Sequence, residues 1–233
     1  MKKTLILICA LVAMPMFHAN VSAQDDSGRL IVAGSSDSKA SLEIGTHMGF
    51  GYNFIKSNDF NPARGGEFFI NIIKARLFPT ENFGLELGVD YKTLGILSRD
   101  DAFYKDEKDL AHTMPYSQKY PGELSKNFSR LSSNTFSLPV LIKIEAGDFH
   151  LGVGAEGNLN LGGRVKDKFY KDDKKNKFVD KRVQFNRYTY NFIAVISYDG
   201  TGFYFKYYPK SSKLLPEGSV DFDLMTAGVI FDF

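Results

Sequence analysis

The sequence predicts an all-β protein, an eight-stranded antiparallel up-and-down transmembrane β-barrel. Apolar and polar residues alternate in most of eight segments, short links between these segments alternate with long ones, and aromatic residues gather at the segment ends. The 21 Gly, 21 Phe and 12 Tyr among 233 residues also favour strands over helices.

The first 23 residues predict a secretory signal peptide. Two lysines precede an apolar run over residues 5–17, and the small-residue pattern that ends at Ala23 marks the cleavage site. The run is shorter than the roughly 20 residues with which a helix crosses a bilayer. Residues 24–40 are therefore expected to form a periplasmic lead-in, and residues 41–233 the barrel.

Cleavage would remove Cys9, the only cysteine, together with two of the 29 Lys and Arg. The exported chain would then have no disulfide and no cysteine metal site, and its cations would equal its 27 Asp and Glu in number. We expect no cofactor and no metal, and a neutral chain does not favour nucleic acid as a partner. Ile8 stands where a lipoprotein signal needs a small residue, so lipidation at Cys9 is not expected.

The segment Ser41–Phe54, SLEIGTHMGFGYNF, begins the barrel. Its even-numbered residues are apolar apart from Thr46, whereas its odd-numbered residues are glycines and polar residues. A period of two is typical of a strand with one apolar and one polar face. Similar alternation predicts six further strands, with apolar positions along Phe83–Tyr91, Phe136–Ile144, Phe149–Leu161, Tyr188–Tyr198, Phe203–Tyr207 and Met225–Phe233.

The remaining strand is predicted at Glu67–Phe78, EFFINIIKARLF, where the alternation fails. Its β-branched and aromatic residues favour a strand. Its pattern leaves open which face Lys74 and Arg76 take. Pro139 lacks a backbone donor, so we expect it at a bulge or an irregular pair of the fourth strand.

The connections distinguish the two ends of the barrel. The links after the second, fourth and sixth strands have 2 to 4 residues, whereas the others have about 10 to 37. Short periplasmic turns and long external loops are typical of outer-membrane barrels, and this pattern puts both termini in the periplasm. A two-residue turn at Ala146 and Gly147 would pair Lys143 with His150, which keeps like faces together.

The apolar faces are expected to contact lipid. In the alternative, a soluble periplasmic lipocalin-like lipid carrier, the water-exposed surface would consist of the glycine-rich faces, which carry few charges. A barrel of eight strands has room inside only for side chains, and glycines between charged residues suit that space. Aromatic residues form two girdles, an outer one at Phe50, Tyr52, Phe54, Tyr188 and Tyr190 and a periplasmic one at Phe83, Phe149, Tyr198, Phe203, Phe231 and Phe233.

Two parts of the sequence resemble known barrels. Phe231 and Phe233 resemble the carboxy-terminal signature that bacterial outer-membrane barrels present to their insertion machinery. Residues 135–163, TFSLPVLIKIEAGDFHLGVGAEGNLNLGG, resemble the central segment of the PorT-like outer-membrane β-barrel family of Bacteroidota, in which an L-P-x-L-x-K strand leads through a tight turn into a glycine-rich strand. This resemblance implies a location in the cell outer membrane and a role in secretion, as in type IX secretion, or in envelope assembly.

Strand parity places a structural cluster of polar residues in the lumen, namely Glu43, His47, Glu86, Asp90, Lys143, His150, Glu156 and Arg187. No catalytic residue is expected, because neither lumen histidine lies near the outer rim, where a lipid A acyl hydrolase or transferase of this fold would act. His112 lies in the longest loop beside Asp100, Asp101 and Asp109, without a defined spacing. An outer-membrane lipid A acyl hydrolase or transferase remains the alternative. The lumen is too narrow for a diffusion pore.

The segment Gly163–Gln184 carries nine Lys and Arg against four Asp. It is either a solvated face or a surface that contacts the phosphates of lipopolysaccharide or an acidic partner. The nine cations are Arg164, Lys166, Lys168, Lys171, Lys174, Lys175, Lys177, Lys181 and Arg182. The link over residues 96–132 is a second candidate surface for protein docking.

The sequence therefore predicts a non-enzymatic outer-membrane barrel with a structural or interaction role at the cell envelope. Its expected partners are outer-membrane lipid and lipopolysaccharide, the barrel insertion machinery and another envelope protein, and nucleic acid is not among them.

Overall fold

The computed structural model describes residues 21–24, 30–33, 39–44, 47–80, 82–122, 125–171 and 174–232. The strands are β1 Val21–Gln24, β2 Leu30–Ala33, β3 Lys39–Ile44, β4 His47–Lys56, β5 Pro62–Phe78, β6 Phe83–Ser98, β7 Asp101–Lys105, β8 Ala111–Pro115, β9 Ser125–Ala146, β10 Phe149–Lys171, β11 Lys174–Val183, β12 Tyr188–Tyr198, β13 Thr201–Tyr208 and β14 Asp223–Asp232. A short helix, α1, spans Tyr116–Lys119, and a 3₁₀ turn spans Lys210–Ser212. Within the described ranges, no helix has the length and apolar character to cross a membrane.

Eight of these strands close into one antiparallel barrel. Each strand pairs with the next in the order β4, β5, β6, β9, β10, β12, β13 and β14, and β14 pairs with β4. Neighbours in this ring follow one another along the chain, so the predicted eight-stranded up-and-down barrel is confirmed. Closure provides backbone partners on both sides of every barrel strand, which strands in hydrocarbon require.

The first predicted strand corresponds to β3 and β4 together, because both pair with β5. On the other side of β3 lies β2, which in turn pairs with β1. These two short strands fall within the residues predicted as the end of the signal peptide and as the lead-in. Most of the predicted signal peptide and the terminal Phe233 lie outside the described residues, and the boundaries at residues 23 and 40 stay predictions.

The turn between β9 and β10 corrects one predicted register. Gly147 and Asp148 form the turn, so Ala146 pairs with Phe149 and Lys143 lies opposite Gly152 rather than opposite His150. Gly147 has a φ of 61°, a conformation that favours glycine at the first central position of a two-residue turn. The error shifts the pairing by two residues, so each side chain keeps the face that its parity predicts.

The apolar faces of the barrel strands point outward. Leu138 on β9 is 49% exposed, whereas its neighbour Leu141 on the inner face is 4% exposed. The same pattern exposes apolar side chains around the ring, including Phe50, Phe54, Phe68, Ile70, Val140, Ile142, Ile144, Val153, Phe192, Ile196, Phe203 and Phe205. A continuous apolar band of this extent suits lipid, and its outward direction excludes a lipocalin-like core.

An irregularity in β5 explains why its alternation fails. Odd-numbered residues point inward as far as Asn71, and the pairing with β6 then shifts between Asn71 and Ile73. Even-numbered residues point inward after this bulge, so Lys74 is buried and Arg76 contacts Glu86 at 3.0 Å. Both cations that the sequence left open therefore face the lumen.

Pro139 lies at an interruption of the ladder between β6 and β9. Pairs are formed at Leu87 and at Asp90, and Gly88 between them lies opposite Pro139. A Cβ on Gly88 would come within 2.9 Å of Pro139 Cγ, so glycine leaves room for the ring. This arrangement agrees with the irregular pair predicted for Pro139.

The end of the barrel opposite the short turns continues into an ordered cap. Strands β6, β9 and β10 extend past the apolar band, and β11, the β7–β8 hairpin and the segment over residues 209–222 complete the cap. Buried apolar side chains fill it, namely Phe60, Leu94, Ile96, Phe103, Ala111, Leu131, Val165, Val183, Phe185, Tyr208, Leu214, Leu215, Val220 and Leu224. The barrel mouth is thus covered by a core of the kind found in water-soluble domains.

Tryptophan fluorescence tests the direction of the apolar band, because the chain contains no tryptophan of its own. A Leu138→Trp variant in vesicles should be quenched strongly by lipids with brominated acyl chains, because position 138 faces hydrocarbon. The control is Lys174→Trp on the cap, which should keep its fluorescence. Equal quenching of both variants, or quenching of neither, would contradict the outward direction of the band.

Candidate functional site

Four fully buried charges cross the middle of the lumen. Lys206 on β13 lies 2.7 Å from Glu67 on β5 and 3.1 Å from Glu156 on β10, and Lys92 on β6 lies 2.8 Å from Glu156. None of the four residues is more than 4% exposed. This group, which we call the lumen quartet, is electrically neutral and connects strands on opposite sides of the ring.

Further contacts satisfy the lumen quartet. Lys92 Nζ also donates a hydrogen bond to Asn158 Oδ1 at 2.7 Å, and the Tyr208 hydroxyl donates to Glu67 Oε2 at 3.0 Å. The ammonium of Lys206 lies 4.4 Å from the centre of the Phe69 ring. Buried charges are tolerated when they are paired, and these contacts pair the charges of the quartet. The four side chains therefore fill this level of the lumen.

A second ionic group lies nearer the short turns. Glu86 forms ion pairs with two cations, since its carboxylate lies 2.7 Å from Lys143 Nζ and 3.0 Å from Arg76 Nε. All three side chains point into the lumen, and Glu86 and Lys143 are buried. The group links β5, β6 and β9, so the lumen is filled by paired charges at two levels.

His47 occupies a third position inside the barrel. Its ring nitrogens lie 3.8 Å from a carboxylate oxygen of Asp90 and 3.8 Å from one of Asp232, and its ring packs edge-on against Phe69. Asp90 also accepts a hydrogen bond from Asn71 Nδ2 at 2.9 Å. Each of these side chains has neighbours within the protein, and His47 is closed off from the external surface.

The other four predicted lumen residues have different outcomes. Glu156 belongs to the lumen quartet, and the side chain of Glu43 lies outside the described residues. His150 is half-buried beside the β9–β10 turn, where its Nδ1 lies 3.1 Å from Glu145 Oε1. The prediction for Arg187 is wrong, because β12 begins one residue later and the Arg187 side chain is exposed.

The position of Arg187 has a physical reason. Its backbone carbonyl accepts a hydrogen bond from the Asn160 N–H at 2.9 Å, which ends the connection from β11 before the regular ladder starts. Its guanidinium carbon lies 5.7 Å from the centre of the Tyr188 ring, outside the barrel. The alternation that starts at Tyr188 therefore does not extend to this residue.

Most of the lumen quartet was not predicted from the sequence. Lys92 and Lys206 stand at polar positions of alternating strands, and extending the same parity rule to every lysine would have found both. Glu67 precedes the bulge in β5, whose broken pattern hid its direction. The contacts of the quartet join residues up to 139 positions apart, and no spacing in the sequence indicates such pairs.

In the cap, Asp167 on β10 fixes the segment that follows β8. Its carboxylate lies 2.7 Å from Lys119 Nζ and accepts hydrogen bonds from the hydroxyls of Tyr120, at 2.7 Å, and Ser129. Ser129 Oγ in turn accepts the Phe103 N–H at 2.9 Å. This buried carboxylate thus connects the β7–β8 hairpin and α1 to the barrel wall.

Tyr120 also belongs to an aromatic group on the cap. Its ring centre lies 4.4 Å from that of Phe169 and 5.4 Å from that of Phe178. Burial, followed by the hydrogen bond to Asp167 and its charge, raises the pKa of the Tyr120 hydroxyl above its ordinary value. The hydroxyl therefore stays protonated and donates to Asp167.

His112 forms a local contact within the β7–β8 hairpin. Its Nε2 lies 3.1 Å from Asp106 Oδ2, and Asp106 Oδ1 accepts the N–H groups of Lys108 and Leu110 at 2.9 and 2.8 Å. Asp106 thus organises the turn, and His112 packs beside it. The three aspartates that the sequence placed with His112 contact other residues, since Asp100 and Asp101 bind Asn61 and Asp109 binds Lys105.

Two antiparallel strands carry the described part of the basic segment, residues 163–171 and 174–183. The outer half of β10 pairs with β11 from Gly163 opposite Val183 to Lys171 opposite Lys174. Lys166 and Lys168 are half-buried. The other predicted cations are exposed, namely Arg164, Lys171, Lys174, Lys175, Lys177, Lys181 and Arg182.

The chain matches one family model and is similar to two solved outer-membrane proteins. A family model described as "Outer membrane protein beta-barrel domain" matches residues 22–226. Among solved structures, the chain is similar to Ail, the attachment invasion locus protein of Yersinia pestis, with 14% identity and a TM-score of 0.31 over 84% of this chain and 99% of that chain. It is also similar to the outer membrane protease OmpT from Escherichia coli, with 12% identity and a TM-score of 0.34 over 85% and 97% of the two chains. A search of curated proteins gave no match.

Removing one charge from the lumen quartet should destabilise the barrel. A Lys206→Met substitution leaves two buried carboxylates against one ammonium, and an unpaired buried charge costs about 3–5 kcal/mol. Urea unfolding in vesicles should detect this loss, and Lys210→Met on the exposed 3₁₀ turn is the control. The double variant Lys206→Met, Glu156→Gln should recover part of the stability, and a double variant less stable than Lys206→Met alone would contradict charge balance as the cause.

Asp167 should control the exposure of the cap to protease. An Asp167→Asn substitution removes the ion pair with Lys119 and should release the segment over residues 99–122, so trypsin should cleave there in the purified, folded barrel. The control is Asp180→Asn on the same hairpin, which should leave the cleavage rate unchanged. Resistance of Asp167→Asn equal to that of the wild type would show that the apolar core alone holds the segment.

Proposed function

The chain belongs to the outer membrane protein beta-barrel domain family, and from this premise we propose that it is a non-enzymatic barrel that acts at the cell envelope through its external surface. In this proposal the barrel wall anchors the chain in the outer membrane, both termini lie in the periplasm, and the cap provides the working surface.

The filled lumen is the observation that carries this proposal. Paired charges cross the barrel at two levels, and Lys206, at its centre, has no exposed surface. Above them the apolar core of the cap covers the mouth. A solute would have to break both the ionic groups and the apolar core to pass. The filled lumen therefore does not favour solute transport as the function.

The cap supports an interaction role because it is built as a rigid surface. The contacts of Asp167 and the apolar core hold the β7–β8 hairpin and α1 in one arrangement on the barrel wall. A preorganised surface loses little conformational entropy when a partner binds. A second envelope protein is the partner that we propose for it.

The finer form of the proposal is a PorT-like role in secretion or envelope assembly. It is supported by the resemblance of residues 135–163, which form the paired halves of β9 and β10 and the turn between them. In this form the barrel insertion machinery is a transient partner during assembly. Deletion of the gene should then leave exported cargo in the periplasm.

Photo-crosslinking in intact cells tests the proposed surface. A crosslinking amino acid at Glu107 or Ser117, both exposed on the cap, should give an adduct of defined mass with an envelope protein. The matched control is Asp148 in a short turn, which should give no adduct of that mass. Absence of cap adducts, together with a changed lipid A mass on expression, would replace the proposal by an acyl hydrolase or transferase.

A further inference from the structure

We propose that one face of the cap binds the phosphate groups of lipid A in the outer leaflet. This inference deepens the proposed function and rests on it, because it requires the barrel to lie in the outer membrane. The face belongs to the sheet of β9, β10 and β11, and its cations are Arg130, Arg164, Lys166, Lys168, Lys175, Lys177 and Lys181. We call these seven residues the cationic face.

The strand register brings these cations together. Arg164 pairs with Lys181 and Lys168 pairs with Lys177 across β10 and β11, and Lys166 pairs with Arg130 across β10 and β9. Directly paired residues of antiparallel strands project on the same face, and like charges in such pairs repel each other. Three such pairs side by side therefore favour an anionic ligand that neutralises them.

No carboxylate of the described residues neutralises this face. The two aspartates of β10 and β11 in the described part of the hairpin, Asp167 and Asp180, point to the opposite side of the sheet, where Asp167 contacts Lys119. Within the described ranges, none of the seven cations makes an ion pair. Partial burial and then the surrounding positive charges, of which Lys168 contributes most, lower the pKa of Lys166 below its usual value.

Arg130 lies on this face against the backbone of β6. A Cβ at Gly95 on β6 would come within 2.7 Å of Nε and Nη2 of Arg130, so the guanidinium packs over the bare backbone of this glycine. The buried Nε has no hydrogen-bond partner among the described residues. Arginine commonly binds phosphate through its guanidinium, so Arg130 adds such a group to the cationic face.

The height of the face identifies the ligand as a lipid headgroup. On β10 the last outward apolar side chain is Leu161, which is 55% exposed, and the pairing with β9 shifts between Asn160 and Gly163. The outward face then continues at Arg164, three residues later, about 10 Å along the strand at about 3.3 Å per residue. With a strand tilt of about 45° this is about 7 Å above the apolar band, which is the depth of one headgroup layer.

The rest of the face fits the same ligand. Lysine and arginine side chains are long and can reach down from Lys166 and Lys168 to the headgroups. The face continues the outward side of β10 on which Leu161 lies, so it adjoins the lipid-facing residues. An acidic soluble protein would have more access to the tip of the hairpin, so lipid A is the better occupant.

A charge-matched pair of triple variants tests the proposal. The face variant is Arg164→Gln, Lys166→Gln, Lys181→Gln, and the control variant is Lys108→Gln, Lys174→Gln, Lys210→Gln, which removes three cations elsewhere on the cap. Each purified barrel is titrated in nanodiscs of phosphatidylcholine with lipid A, and bound lipid A is counted by native mass spectrometry. At about fivefold per cation near an anionic surface, the face variant should bind lipid A roughly 100-fold more weakly than the wild type and the control variant.

Dephosphorylated lipid A distinguishes phosphate binding from acyl-chain contact. The wild type should bind it as weakly as the face variant does, and the difference between the variants should disappear. The proposal would be overturned if the face variant bound phosphorylated lipid A as tightly as the wild type does. It would also be overturned if the face variant lost a crosslinked adduct with an acidic protein but kept its binding of lipid A. The Glu107 and Ser117 adducts report separately on the proposed function, since the face variant leaves both positions intact.

Discussion

The hydrocarbon around the barrel wall is the constraint on which the other features depend. Lipid offers no hydrogen bonds, so β4, β5, β6, β9, β10 and β12–β14 pair with one another in a closed ring, and their outward side chains are apolar. The polar side chains must then lie inside, where a ring of eight strands leaves little space. Lys92, Lys206, Glu67 and Glu156 meet both demands, because they fill the lumen and neutralise one another.

In the cap, the outward faces of the same strands are mostly polar, whereas in the barrel wall they are apolar. Where β10 leaves the lipid, its inward residues include the apolar Val165, which packs with Leu131 and Val183, while its outward residues become cationic. The irregular pairing between Asn160 and Gly163 marks this change. β10 therefore passes from lipid into water, and its outward face, which is apolar beside the lipid, is cationic in the cap.

The alternation of apolar and polar residues was the main signal that predicted the fold, because a polar side chain on the outer face would contact lipid at a high energetic cost. Seven of the eight barrel strands and the outward direction of Leu138 and its neighbours could be predicted in this way, and β5 was predicted from its β-branched and aromatic residues. The rule failed where the backbone departs from a regular ladder, at the bulge after Asn71, at the turn that begins with Gly147, and at Arg187 before β12. The site was less predictable, because the lumen quartet and the Arg130 contact depend on which strands face each other across the ring or lie side by side in the cap.

The lumen quartet also bears on the order in which the wall can be completed. Glu67 is on the second strand of the ring and Lys206 on the seventh, so their 2.7 Å contact exists only after the growing sheet has curled round. Formation of this buried ion pair and closure of the ring are therefore coupled, since Glu67 and Lys206 meet only across the finished cylinder.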